Sequence, residues 1–186
     1  PHESLGYNRI WVSQIADLAD DLTEWGHDFF RHPRFRNLLS WPFDVTVCGK
    51  FTPPTGDTGD MFSSGSLLDP RICQLALAHF DDPRMAWVLA HEGGARQDLF
   101  ESPVEVPEAG SVKPEIGLRS VHFPGYRMVN LQAGEEANRV ALSYFYGDHR
   151  AHMHRDQLNI LLYAHDNALL TDTGYPEQTD AFNHRL

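Results

Sequence analysis

The chain has 186 residues, enough for one large domain or two small ones, and its 41% hydrophobic residues suit an ordinary core. The 26 acidic residues outnumber the 15 basic ones, which argues against nucleic acid as the main partner. No apolar run approaches the roughly 18 residues of a membrane span, so no membrane partner is expected. Cys48 and Cys73 are the only cysteines, so the sequence predicts either a single bridge or two free thiols.

The first hundred residues have helical periodicity. Apolar residues recur at steps of four and three between positions 11 and 25, which predicts a helix with one apolar face that ends at Gly26. The members of that face are Trp11, Ile15, Leu18, Leu22 and Trp25. Asp69-Pro70 and Asp82-Pro83 each place a capping carboxylate before a proline, which predicts helices over Pro70–Phe80 and Pro83–His91.

Between these helices lies Trp41–Ser66, which is rich in Gly, Pro, Thr and Ser. It is too long for a simple connector, so we expect a functional loop or a wall of a substrate groove.

After a predicted linker at Ser102–Pro114, the periodicity changes to two. Leu118–Phe123 and Tyr126–Leu131 flank the turn pair Pro124-Gly125, and alternation around 139–146 predicts a strand covered on both faces. Leu158–Ala164 and Ala168–Asp172 are expected to pair as a hairpin. Helices followed by strands indicate an α+β chain.

Three histidines and two aspartates crowd residues 148–157, where the next strand begins. His152 and His154 are two residues apart, so on an extended backbone they face the same way, and one can hold a metal while the other faces a substrate. The predicted hairpin carries Asp172 back toward this loop. Imidazole and carboxylate are the usual zinc ligands, so His154 and Asp172 form half of a predicted zinc site. The third ligand is either His184 or a residue beyond Leu186.

At these residues the chain resembles the heparinase II/III-like polysaccharide lyases, which include alginate and oligoalginate lyases. The family's C-terminal motif has its counterpart in Ala151-His152-Met153-His154-Arg155-Asp156-Gln157-Leu158 and Leu170-Thr171-Asp172-Thr173-Gly174, with Ala151 where the family has Gly. Phe123-Pro124-Gly125-Tyr126-Arg127 is similar to the start of the family's β domain. Glu3-Ser4-Leu5-Gly6-Tyr7-Asn8 is similar to the segment with its catalytic tyrosine.

The resemblance implies an (α/α) toroid followed by an antiparallel β-sandwich domain, with the active site in the groove between them. Residues 1–105 would be the end of the toroid and residues 106–186 the start of the sandwich. The family's upstream Asn and His match nothing here, so we expect the chain to be a fragment. The resemblance implies a periplasmic or secreted location, although no signal peptide is visible.

The resemblance also implies site roles. Tyr7 would be the catalytic tyrosine and His152 the active-site histidine. Apart from the resemblance, His149 and Arg150 lie in the same loop as His152 and are expected to contact substrate. His154 and Asp172 would hold a zinc ion that is structural in this family, with His184 as the candidate third ligand within this chain. The reaction would be β-elimination at a uronic acid of an acidic polysaccharide, of alginate or glycosaminoglycan type.

Two other interpretations stay open. His152-Met153-His154-Arg155-Asp156 also fits the His-x-His-x-Asp start of the metallo-β-lactamase motif, which would make the protein a zinc hydrolase. That motif continues with His, whereas position 157 is Gln, and it belongs to an α/β sandwich. The second alternative is a non-catalytic carbohydrate-binding module.

Overall fold

The computed structural model describes residues 4–58, 67–92, 114–147 and 158–172. Helices and an antiparallel sheet share this part of the chain, in agreement with the predicted α+β class. The helices are α1 (Leu5–Thr23), α2 (Pro33–Val45), α3 (Pro70–Leu77) and α4 (Pro83–Glu92). The strands are β1 (Val121–Phe123), β2 (Met128–Ala133), β3 (Val140–Phe145), β4 (Asn159–Ala164) and β5 (Asn167–Leu170). Among the described helices, none combines the length and apolarity of a membrane span.

Helix α1 ends as the sequence predicts. Gly26 has φ +86°, and the amide of His27 donates to the carbonyl of Leu22 while that of Gly26 donates to Thr23, the pattern of a Schellman cap. The predicted apolar face, in contrast, is not the packed one. Trp11 and Leu18 are 58% and 57% exposed. The buried positions are Leu5, Val12, Ala16 and Ala19, and the last three pack in the helical core, where small side chains allow neighbouring elements to approach closely.

Helix α2 extends through Val45 and overlaps the start of the predicted Trp41–Ser66 loop, so that boundary was wrong. Phe35, Leu39 and Phe43 recur every four residues and lie in or against the helical core. Pro42 lies inside the helix, where it removes one backbone hydrogen bond, and this local signal favoured a loop.

Helices α3 and α4 begin where the sequence predicts. The carboxylate of Asp69 accepts from the amide of Arg71 at 3.0 Å, and that of Asp82 accepts from the amide of Arg84 at 2.9 Å. The imidazole of His79, just after α3, stacks on Phe30 with ring centroids 3.8 Å apart, and its Nε2 lies 2.8 Å from Asp20 Oδ1.

The described residues divide into two compact units that are discontinuous in sequence. One lies within Pro1–Arg9, Asp44–Leu67 and Gly117–Leu186, and the other within Ile10–Phe43 and Leu68–Ile116. The single predicted boundary between residues 105 and 106 and the predicted linker Ser102–Pro114 fall almost entirely outside the described residues, so both stay predictions.

The sheet is a meander in the order β1-β2-β3-β4-β5, antiparallel throughout. The predicted hairpin between β4 and β5 is confirmed. His165 and Asp166 have φ of +50° and +59°, as in a two-residue type I′ turn, whose twist matches that of the strands. The pair β1–β2 is joined at the predicted place, but Phe123 lies opposite Met128, so the turn includes Tyr126 and Arg127 as well as the predicted Pro124-Gly125.

The two faces of the sheet differ. One face packs against Val47 and Phe51, and its core includes Ala141, Leu161 and Tyr163. On the other face Leu131, Ile160 and Leu170 are exposed. Strand β3 therefore has one covered face rather than the predicted two, since Ala141, Ser143 and Phe145 are buried and Val140 is exposed.

Candidate functional site

The described residues include two of the predicted site residues, Tyr7 and Asp172. His149, Arg150, His152, His154 and His184 lie outside the described residues, so their predicted roles remain predictions. Within the described ranges, no three His, Cys, Asp or Glu side chains are grouped as a metal site would require. The arrangement around Tyr7 and Asp172 is therefore built from their own neighbours.

Asp172 lies at the end of the sheet where the histidine-rich loop joins it. Phe145, the last residue of β3, pairs with Asn159, the first residue of β4, so residues 146–158 connect the two strands at this end. Strand β5 returns the chain to the same end, where Nδ2 of Asn159 donates to Oδ2 of Asp172 at 2.6 Å. Asp172 thus lies at the end of the sheet where β3 ends and β4 begins.

The environment of Asp172 suits a metal-binding carboxylate. The residue is only 8% exposed, and a neutral amide holds one of its oxygens. Metal-ligating carboxylates are commonly held by such hydrogen bonds, which fix their orientation. A single buried carboxylate does not make a zinc site, which takes about four ligands. Asp172 fits the role of one ligand.

Gly147, where the loop begins, lies close to the ring of Phe145. A Cβ atom on Gly147 would lie 2.4 Å from Cζ of Phe145, whose ring is buried. A side chain at position 147 would therefore require the ring of Phe145 to move.

Tyr7 lies in the first turn of α1, and side chains hold its own backbone amide and the one directly before it. Ser4 caps the helix, since its Oγ accepts from the amide of Tyr7 at 3.4 Å. The amide of Gly6 donates to Oγ1 of Thr58 at 3.0 Å. These bonds satisfy two of the amides that every helix start leaves without an intrahelical partner.

The segment that reaches Tyr7, Thr52–Thr58, is buried although it has no helix or strand. Thr52, Thr55 and Thr58 are each at most 4% exposed. Buried irregular backbone needs hydrogen-bond partners, and the carbonyl of Asp57 accepts from Oγ of Ser4. The side-chain hydroxyls of Thr55 and Thr58 also bond to residues distant in sequence. Within the predicted Trp41–Ser66 loop, this is the portion that contacts the helix start.

Two other nucleophilic side chains on the sheet side are unsuited to chemistry near neutral pH. Burial is the main cause that raises the pKa of the Tyr163 phenol, and electrostatic repulsion from Cys48 and Asp172 raises it further. Burial likewise raises the pKa of the Cys48 thiol, against an opposing effect of Arg139. Both groups stay protonated, and Cys48 and Cys73 are free thiols rather than a bridge.

Sequence reasoning missed Asn159, Thr58 and Gly6 as parts of this arrangement. Gly6 stands inside the motif that identified Tyr7, so its signal was present. Asn159 and Thr58 carry no local signal, because their partners lie 13 and 52 residues away in sequence.

Comparison with known proteins adds no relative. Neither the protein-family models nor the curated proteins gave a match to this chain.

Proposed function

We propose that this chain carries part of the active site of a polysaccharide lyase that cleaves a uronic-acid-containing polymer by β-elimination. The observation that carries the proposal is that Tyr7 and Asp172, from motif segments 165 residues apart, belong to the same compact unit. The first is held at a helix start, and the second at the sheet end that receives the histidine-rich loop. The resemblance to the heparinase II/III-like lyases assigns both residues to one site.

The exposed apolar faces support the finer architecture. Trp11 and Leu18 on α1 and Leu131 and Ile160 on the sheet are large apolar side chains that are 43 to 58% exposed. Burial of apolar surface stabilises a protein by about 25 cal/mol per Å². These faces are therefore suited to contact further layers, as helices do in an (α/α) toroid and as two sheets do in a β-sandwich.

The reaction would proceed at the uronate ring. The proton on C5 is poorly acidic beside a charged carboxylate, so the site must neutralise that carboxylate with hydrogen-bond donors or cations. In the proposal His149 and Arg150 supply these donors and positive charge. They act locally, because the net charge of the chain as a whole is −11.

Tyr7 would then take the C5 proton as its phenolate while the C4–O bond breaks. The electron pair of the C5–H bond forms the C4=C5 double bond, and the leaving glycosidic oxygen receives a proton from the phenol. A phenol has an ordinary pKa of about 10, so a donor such as His152 is needed to favour the phenolate. No water is consumed, and the product is an unsaturated uronate.

Zinc would be held by His154, Asp172 and His184, and its role would be to fix the loop that carries His152. The structural observation that fits this role is the buried, amide-held carboxylate of Asp172. Asn159 would orient that carboxylate, so the sheet would contribute directly to the shape of the loop.

The alternative zinc hydrolase is less well supported. Its motif belongs to an α/β sandwich, whereas the described strands form an antiparallel meander. The proposed location, periplasmic or secreted, follows from the polymeric substrate and from the resemblance.

The test is an assay of the intact protein with alginate, heparan sulfate, hyaluronan and chondroitin. Elimination is followed by the ultraviolet absorbance of the unsaturated uronate, and chain cleavage by new reducing ends. We expect both signals to rise together with one polymer. New reducing ends without the absorbance would indicate hydrolysis, and binding without cleavage would indicate a carbohydrate-binding module.

A further inference from the structure

The buried Thr52–Thr58 segment touches the helix start that carries Tyr7 at two nearby residues. Oγ of Ser4 donates to the carbonyl of Asp57 at 3.3 Å, and Oγ1 of Thr58 accepts from the amide of Gly6 at 3.0 Å. Ser4 and Gly6 flank Leu5 and precede Tyr7 in the first turn. The segment thus contacts the backbone directly ahead of the tyrosine.

The contact is close at position 6, where a side chain would require the segment to shift by a few tenths of an ångström. A Cβ atom on Gly6 would lie 3.1 Å from the carbonyl oxygen of Asp57 and 3.6 Å from Cα of Thr58. Glycine therefore allows the segment to approach the helix start. Oγ1 of Thr58 then lies close enough to accept a hydrogen bond from the amide of Gly6.

The other part of the segment is attached to the sheet. Oγ1 of Thr55 lies 3.1 Å from the phenol oxygen of Tyr126, in the turn between β1 and β2. Just ahead of the segment, Nδ2 of Asn130 donates to the carbonyl of Val45 at 2.9 Å, and the amide of Cys48 donates to Oε1 of Gln132 at 2.7 Å. Both side chains belong to β2, so the sheet fixes the chain that leads into the segment.

The contacts form one continuous path from β2, through residues 45–58, to the backbone of Tyr7. Its side-chain bonds are buried or partly buried, where a hydrogen bond is costly to leave unmade. Such a path fixes the position of a helix start more firmly than helix propensity does, because the first turn of a helix frays readily.

We infer that Thr58 is a positioning residue, which holds the first turn of α1 so that the phenol of Tyr7 meets the C5 proton of the substrate. The inference rests on the proposed lyase function for its catalytic part. Its structural part concerns the bond between Thr58 and Gly6 alone. Thr58 does not touch substrate in this proposal; it acts through the backbone of Tyr7.

The experiment compares three variants of the intact protein. Thr58→Val removes the acceptor while keeping the shape, and Thr58→Ser restores the hydroxyl. Thr52→Val is the control, because it makes the same change at another threonine of the segment. Thr52 is 4% exposed, against 2% for Thr58, and it makes none of these contacts with α1. We expect Thr58→Val to lower kcat by roughly tenfold to a hundredfold with KM within about twofold, since small displacements of a catalytic group are that costly.

Thr58→Ser should recover most of the lost kcat, and Thr52→Val should keep kcat near that of the wild type. A kcat for Thr58→Val equal to that of the wild type, or equal losses in Thr58→Val and Thr52→Val, would overturn the inference. The second result would mean that the segment has only a general structural role.

Amide hydrogen exchange at Gly6 and Tyr7 separates this inference from the proposed function. We expect Thr58→Val to raise exchange at these two amides by about tenfold or more, with little change in the sheet. If the wild-type protein eliminates no polymer, the proposed function fails, and this exchange result alone then decides the positioning. Unchanged exchange at both amides would overturn the inference whatever the activity.

Discussion

Asn159, the first residue of β4, donates a hydrogen bond to Asp172, which follows β5. Nδ2 of the amide lies 2.6 Å from Oδ2 of the carboxylate. The bond closes the sheet end at which residues 146–158 connect β3 to β4. Hydrogen bonds of this kind fix the orientation of carboxylates that ligate metals. The pair therefore joins the sheet, which the structure describes, to the metal site that the sequence predicts.

The first prediction concerns Asn159. Asn159→Ala should lower the zinc affinity by about tenfold to a hundredfold, because loss of such an outer hydrogen bond typically has that effect. Competition with a chromophoric chelator measures it. Asn167→Ala is the control, since the side-chain amide of Asn167 donates to the carbonyl of His165 within the exposed hairpin turn, at the opposite end of β4. Equal zinc affinities in the two variants would contradict the assignment.

Replacement of the proposed ligands themselves should have a larger effect. Asp172→Ala and His154→Ala should each release zinc and lower the melting temperature, because binding energy of a structural metal is folding energy. Metal content by mass spectrometry and thermal unfolding check both. Asp166→Asn is a suitable control, as that side chain is 71% exposed. Wild-type zinc content in both ligand variants would refute the metal site.

Tyr7→Phe should keep the fold and the zinc but lower kcat by about a hundredfold to ten-thousandfold, the usual contribution of a proton-transfer group. The phenol is removed while the backbone bonds from Ser4 and Thr58 are kept. Tyr144→Phe makes the same change on β3 and should leave kcat near the wild-type value. Near-normal turnover in Tyr7→Phe would move the proton transfer to another group.

A glycine pair tests the backbone that leads into the sheet. Gly117 has φ +59°, and a Cβ atom there would lie 2.3 Å from the carbonyl oxygen of Thr46. Gly117→Ala should therefore reduce the free energy of unfolding by about 2 kcal/mol or more. At Gly125, in the β1–β2 turn, a Cβ atom would have no neighbour within 4 Å, so Gly125→Ala should change that free energy by less than about 0.5 kcal/mol. Urea unfolding of both variants decides; similar losses would show that the close approach at Gly117 is absent.

Local chemistry predicts a large share of the fold. Asp69 and Asp82 mark helix starts by their own side chains, Gly26 marks a helix end by its positive φ, and His165-Asp166 turn the hairpin. In each case the determining contacts lie within a few residues along the chain. The pairings β1–β2 and β4–β5 follow, because in each a short turn joins two consecutive strands of the meander.

The unpredicted features depend on contacts distant in sequence. The burial of Thr52–Thr58 requires Gly6 and Tyr126, which lie 52 and 71 residues from their partners in the segment. Periodicity alone also could not say which face of α1 packs, since both faces carry apolar residues. For the candidate site, the sequence predicts the residues that form it. The structure adds the hydrogen bonds that fix the backbone at Tyr7 and the carboxylate of Asp172.

The packing of α1 gives the last prediction. Ala16 is 0% exposed and belongs to the helical core with Val12 and Ala19, so a larger side chain there has no room. Ala16→Leu should reduce the free energy of unfolding by about 1–3 kcal/mol, the usual cost of overpacking. Gln14→Leu adds a leucine to an exposed position of the same helix and should change that free energy by less than about 0.5 kcal/mol. Urea unfolding measures both; a stabilised Ala16→Leu together with a destabilised Gln14→Leu would mean that the packed face is the one containing Trp11 and Leu18.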